Sequence, residues 1–329
     1  MMQFSRKSLK AKSLKLIAEV SVAAFAITAM SSVATAQETV RIGLATQAWW
    51  PTVVAETAQR QNLFEKEGIA AELTVYQSGG EAFTALAANA ADIISIQPSI
   101  VATGRTRGVN AKMIAQGSDA NYGWHLIVSA ESDIKDVQGL DGANVGITSA
   151  GSLSDFLARW TLHDKKINFN PIPLGGGGLV PNLISSNVSA AVIFSPLSFQ
   201  VIQSGQGRSL IDFGAEIPKH LNAGWAASDA VIEGKPELVQ KALNAIYGGV
   251  AYLQANKEEA INLLMELNQI ERDVAVQEYE EQFKRLSADG AMTVEGAQAA
   301  IDLAVIGGMS DLAPAADIIE TRFKPVPTK

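Results

Sequence analysis

The chain has 329 residues, a formal net charge of -8 at pH 7 and no cysteine. Disulfides, thiolate metal centres and a lipid carried by an N-terminal cysteine of a mature chain are thereby excluded. The acidic balance opposes a nucleic-acid surface, because phosphates need a basic footprint, and the length suits one large domain or two of ordinary size.

Residues 1–36 have the three parts of a cleavable export signal. Arg6, Lys7, Lys10, Lys12 and Lys15 form a basic start, Leu16 to Met30 is mostly apolar, and Ala34-Thr35-Ala36 precedes Gln37 as a small-x-small cleavage site. A membrane anchor is the competing reading, but an apolar run of about 15 residues, interrupted by Glu19, is short for a bilayer. Five of the 26 basic and one of the 34 acidic residues fall in this segment, so the 293 residues after it carry 21 basic against 33 acidic side chains. No later stretch has 18 uncharged apolar residues in a row.

Strands are predicted at Thr39–Ala45, Ala71–Tyr76, Ile93–Ile96 and Lys112–Gln116. Helices are predicted over Thr52–Leu63, around Phe83, and from Pro98, where a proline costs little at a first helical position. A second set starts with the strand Trp124–Ser129 and continues through the strand Asn144–Thr148, a helix over Ser152–His163 and a strand at Ala190–Phe194. The alternation is that of parallel βαβ units. Four helices follow: Pro236–Gln254, Glu258–Leu267, Arg272–Leu286 and Val294–Leu303. Two α/β lobes with a cleft are expected, with a single larger sheet as the competing arrangement.

In open α/β sheets, ligands collect at the carboxyl ends of strands, and several loops there are small and polar. In Thr148–Ser152, Ser152 is placed to cap the next helix with Asp155 three positions on. Exposed N–H groups of that turn, with the Ser149 and Ser152 hydroxyls, could hold an oxyanion, provided Asp155 turns back to the cap or away. Ser78-Gly79-Gly80, Gln97-Pro98-Ser99 and Phe194-Ser195-Pro196 stand at similar junctions. Trp49 and Trp50 follow the first strand, and one of them could form an aromatic wall, with core packing or an interlobe contact as the alternative; Trp225 lies after the return to the first lobe. No arginine stands in these loops, and Arg105 and Arg107 read as solvated. Gly175–Gly178 lacks the context of a phosphate loop and reads as a flexible turn near a lobe edge or the cleft. His125, His163 and His220 are isolated, with no HExxH pair and no GxSxG elbow, so no catalytic residue is assigned.

Taken in order, Thr39-Val40-Arg41-Ile42-Gly43-Leu44-Ala45, Leu63-Phe64-Glu65-Lys66-Glu67-Gly68, Ala85–Ala88 with Ala91-Asp92-Ile93, the run Asp136–Ile147, and Gly151-Ser152 resemble the solute-binding proteins of ABC importers. The likeness is to the nitrate/sulfonate/taurine group related to thiamine-pyrimidine precursor binders. Asn89-Ala90 departs from that group's usual glycine. The resemblance implies an α/β periplasmic-binding-protein type II fold, two lobes with a ligand cleft and hinge crossovers, divided as residues 37–126 plus 225–329 and residues 127–224. It implies a periplasmic monomer, no cofactor or metal, and no catalysis. Its partners would be a small solute and an inner-membrane permease with its ATPase. The solute contacts it implies are Trp49, Trp50, Ser78, Gly79, Gln97, Ser99, Ser149, Gly151, Ser152, Ser195 and Trp225. The expected solute is a small organic anion such as a sulfonate or carboxylate, possibly aromatic in body. An uncharged or zwitterionic pyrimidine-like solute, a sensing role and an enzyme of thiamine-precursor type are the alternatives.

Overall fold

A strand covered by helices on both faces needs a continuous apolar run rather than an alternating one. Ala190–Ile193 meets that condition, and Ile93–Ile96 does so but for Ser95, whose hydroxyl accepts from the Ala45 amide; every residue of both is buried. In the computed structural model, which describes residues 37–329, they are the middle strands of two separate five-stranded sheets. The segment read as an export signal lies outside the described residues.

The first sheet contains β1 (Glu38–Leu44), β2 (Ile69–Val75), β3 (Ile93–Ile96), β4 (Ala111–Ser118) and β10 (Ala223–Ser228), in the order β2-β1-β3-β10-β4. The second contains β5 (His125–Ser129), β6 (Asn144–Ile147), β7 (Asn170–Pro173), β8 (Ala190–Ile193) and β9 (Gly207–Asp212), in the order β7-β6-β8-β5-β9. The fold is thus mixed α/β with two sheets, and the single larger sheet does not occur. Not every pairing is parallel. In each sheet the strand that arrives from the other sheet, β10 or β5, runs antiparallel to both neighbours. The chain crosses between sheets over 119–124 and returns over 213–222.

The two crossovers are tied together. Asn222 Nδ2 donates to Asn121 Oδ1 at 2.5 Å, and the His220 and Asn222 amides donate to the carbonyls of Asp119 and Ser118. Burial holds the His220 imidazole below its ordinary range.

Of the C-terminal helices, Pro236–Ala255 packs on the helix Trp50–Arg60. Gly249 permits the close approach, since a Cβ there would lie 2.7 Å from the Val54 carbonyl oxygen. The helix Arg272–Glu281 reaches the second sheet's helix Leu197–Gln203, where Gln203 Nε2 donates to Gln277 Oε1 at 2.6 Å.

Candidate functional site

Loops leaving β1, β2 and β3 of the first sheet face those leaving β6 and β8 of the second. Between them lies a pocket lined by Thr46, Trp49, Gly79, Gln97, Thr148 and Ser152, with Ala45, Trp124, Leu153 and Phe194 completing its wall. None of these ten side chains is charged. The space inside is about 20 Å³, room for a water or two, since one water needs about 10–15 Å³. The two sides are drawn together across it. Gln97 Nε2 donates to the Gly151 carbonyl at 3.1 Å, and the Gly176 amide donates to the Gln77 carbonyl at 2.9 Å.

The aromatic wall is one end of a longer chain of rings. Trp225 meets Trp50 at 6.3 Å, Trp50 meets Trp49 at 5.7 Å, Trp49 meets Trp124 at 6.2 Å, and Trp124 meets Phe194 at 5.4 Å. Only Trp49, Trp124 and Phe194 line the pocket. Trp50 begins a helix behind Pro51's neighbouring turn and fills a slot over Gly117, where a Cβ would come within 2.0 Å of its Cη2 atom. Trp225 is fully buried in β10. Neither Trp50 nor Trp225 lines the pocket; both are core, Trp50 seated against Gly117 and Trp225 fully buried in β10.

The remaining candidates divide similarly. Gly79, Gln97 and Ser152 reach the pocket, as Trp49 does. Ser78 caps the helix Gly79–Ala87, accepting from the Glu81 amide at 3.2 Å, and Ser99 lines a smaller adjoining hollow with Gln97 and His220. Neither Ser149 nor Gly151 lines the pocket; Ser149 stands against Gly80, and Gly151 lines a separate hollow outside it. Ser195 is buried against Gly123, away from the pocket wall. Ala45, Thr46, Trp124, Thr148, Leu153 and Phe194 line the pocket without being among the expected contacts. Thr46 Oγ1 is buried with no hydrogen-bond partner among the described residues.

The start of the helix Leu153–Asp164 is closed on itself. Ser152 Oγ accepts from the Asp155 amide at 3.3 Å and donates to the Ser149 carbonyl at 2.7 Å. The Asp155 carboxylate turns back and accepts from the Gly151 amide at 2.8 Å and from Arg159 Nε at 3.0 Å. The amide that would greet an oxyanion is thus already held by a carboxylate, which argues against an anion at Gly151. The glycine run is likewise not a loose turn. Gly176 to Gly178 form a 3-10 turn, and Gly176 is buried against Thr46 and Gln77 of the loops leaving β1 and β2.

Arg105 is not simply solvated, since it donates to both Asp229 oxygens at 3.0 Å and to the Ala111 carbonyl. Behind the pocket stands an unanticipated acid. Glu278 is fully buried, and neither carboxyl oxygen has a hydrogen-bond partner among the described residues. Burial pushes its carboxyl up to about 8; the nearby Ser195 hydroxyl, outside hydrogen-bond geometry, opposes this and Glu281 adds to it. His125, on β5, is held below its ordinary range by burial, with Asp212 and Glu281 pulling the other way.

Among the described residues no three His, Asp or Glu side chains are grouped to hold a metal, and no helix is long and apolar enough to cross a membrane. A protein of Bacillus subtilis (strain 168), named as binding aliphatic sulfonates, is 32% identical over 114 residues, which are 34% of this chain and 34% of that protein. A binding protein of Brucella abortus (strain 2308) is 24% identical over 75% of this chain and 77% of its own length. Among solved structures, the alkanesulfonate-binding protein SsuA from Xanthomonas axonopodis pv. citri shares the fold with a TM-score of 0.72 at 14% identity, covering 85% of this chain and 97% of that one. The periplasmic SsuA of Escherichia coli gives 0.70 at 18% identity, over 86% and 92%. These likenesses show the periplasmic-binding-protein fold. Residues 34–267 match the NMT1-like family, and the chain belongs to it.

Proposed function

We propose that this chain captures a small solute between its two sheets and delivers it to an ATP-driven membrane importer, working as a monomer in the periplasm. The observation that carries this reading is the pocket itself. It is built from strand-end loops of both sheets and bridged by hydrogen bonds from each side to the other. A ligand there contacts both halves at once, so binding and closure are one equilibrium. The names of the Bacillus, Xanthomonas and Escherichia proteins support the capture of a solute, and that of a structurally similar Staphylococcus aureus protein, a ligand-binding component of an ABC-type import system, supports its delivery.

The lining favours a compact uncharged or zwitterionic solute with a flat apolar body. Trp49, Trp124 and Phe194 supply the stacking surface, while Thr46, Gln97, Thr148 and Ser152 supply neutral hydrogen-bonding groups. The pocket is too small for such a body as it stands, so entry requires the halves to part. An organic sulfonate is the second reading, favoured by the name of the Bacillus relative. Titration calorimetry of the chain against a hydroxymethylpyrimidine and against an alkanesulfonate tests the choice. Tight binding of the pyrimidine that is lost in Trp49→Ala supports the first reading. Binding of neither, with no small molecule retained in native mass spectra, would sink the capture role.

A further inference from the structure

Outside the seal formed by Gly80, Ser149 and Ala150 lies a second hollow, of about 490 Å³, far larger than the inner pocket. It also spans both sheets. Arg107, at the end of the helix Pro98–Thr106, stands on one side and Arg159, on the helix Leu153–Asp164, on the other. The Arg107 amide donates to the Gly104 carbonyl, but its guanidinium has no hydrogen-bond or ion-pair partner among the described residues. Arg159 gives only Nε to Asp155, leaving its two terminal nitrogens unpartnered there. The floor is apolar, made by the half-buried Phe83, Ile100 and Met309, with the Phe83 ring lying directly on Gly104. Two carboxylates also line it. Asp155 is committed to Gly151 and Arg159, and Asp311 accepts from Ser310 at 3.3 Å.

We propose that this outer groove is a binding site for an organic oxyanion with a ring-sized apolar body, held by Arg107 from one sheet and Arg159 from the other. Guanidinium groups suit sulfonate, carboxylate or phosphate oxygens because their fork of N–H donors matches two oxygens at once. The apolar floor removes the attached ring from water. Both arginines reach one ligand only while the halves are together, so an oxyanion here also favours the closed arrangement. The site itself is complete whichever solute fills the inner pocket; only its effect on closure rests on the reading of two halves that part and close.

Naphthalene-2-sulfonate is the probe, titrated calorimetrically into the full chain at low salt, with 2-naphthol as the uncharged control. The expected result is one site for the sulfonate, none for the naphthol, and weakening with added salt as exposed charges are screened. Arg107→Gln and Arg159→Gln should each lower affinity by about tenfold, the scale of one lost charge-assisted hydrogen bond, while Trp49→Ala leaves it unchanged. The Arg107 side chain is exposed and makes no hydrogen bond or ion pair among the described residues, so its variant keeps the test open if Arg159→Gln disturbs Asp155. Unchanged affinity in Arg107→Gln overturns the proposal. So does loss in Trp49→Ala, which would put the sulfonate in the inner pocket, and so does absence of sulfonate binding.

Discussion

Replacing Glu278 by glutamine should change how stability depends on pH. The carboxyl is fully buried and its proton is held up to about 8, against an ordinary value of 4.5. The unfolded chain releases that proton above 4.5 while the folded chain keeps it, so the folded state binds more protons across this window and loses stability as pH rises. At about 1.36 kcal/mol per pH unit, the loss is about 3 kcal/mol by pH 7 and levels near 5 kcal/mol above pH 8. Glutamine has the same shape and no charge, so Glu278→Gln should be free of this slope. Urea unfolding of both proteins at pH 5, 6, 7 and 8 measures it. The buried His125 and His220, both depressed, give an opposite slope at the acid end, but it is common to the two proteins and cancels in their difference. The variant should gain on the parent by about 3 kcal/mol between pH 5 and pH 8. A difference that stays flat over that range would refute a proton held by burial.

Two further substitutions separate recognition from folding. Trp50→Ala should cost about 3–5 kcal/mol of stability, as large-to-small changes in a core do, whereas Trp49→Ala should abolish solute binding in a protein that stays folded; affinity loss that followed Trp50 instead would contradict the assignment of the wall. Gly176→Ala puts a methyl 2.8 Å from Thr46 Cγ2, so it should raise the solute Kd at least about tenfold, a change of about 1.4 kcal/mol, with little change in urea midpoint. Small-angle scattering that still showed full compaction of the variant at saturating solute would count against a role for this turn in closure.

How much of this was legible depends on the range of the interaction. Ser152 and Asp155 were readable as a cap because both partners lie within one turn, and Pro98 opens its helix for a local reason too. The apolar runs at β3 and β8 announced themselves. β7 did not, since Asn170–Pro173 carries two prolines and survives only as an edge strand. β10 is small-residue rich because Gly224 lies against the Ala115 carbonyl, a packing demand from another strand. Trp124 and Phe194 come from segments some seventy residues apart in sequence, and nothing local brings them to one wall. Glu278 could have been found. Val274, Ala275, Glu278 and Tyr279 share the buried face of their helix, so an acid stood in an apolar stripe. The inward turn of Trp50 could not, because its slot is an absence, the missing side chain of Gly117.

The bond from the Gly176 amide to the Gln77 carbonyl joins the two halves through main-chain atoms alone. Side chains facing the solute can therefore drift by mutation without erasing that part of the clasp. A lineage built on this arrangement can exchange one cargo for another in small steps, each intermediate still able to shut.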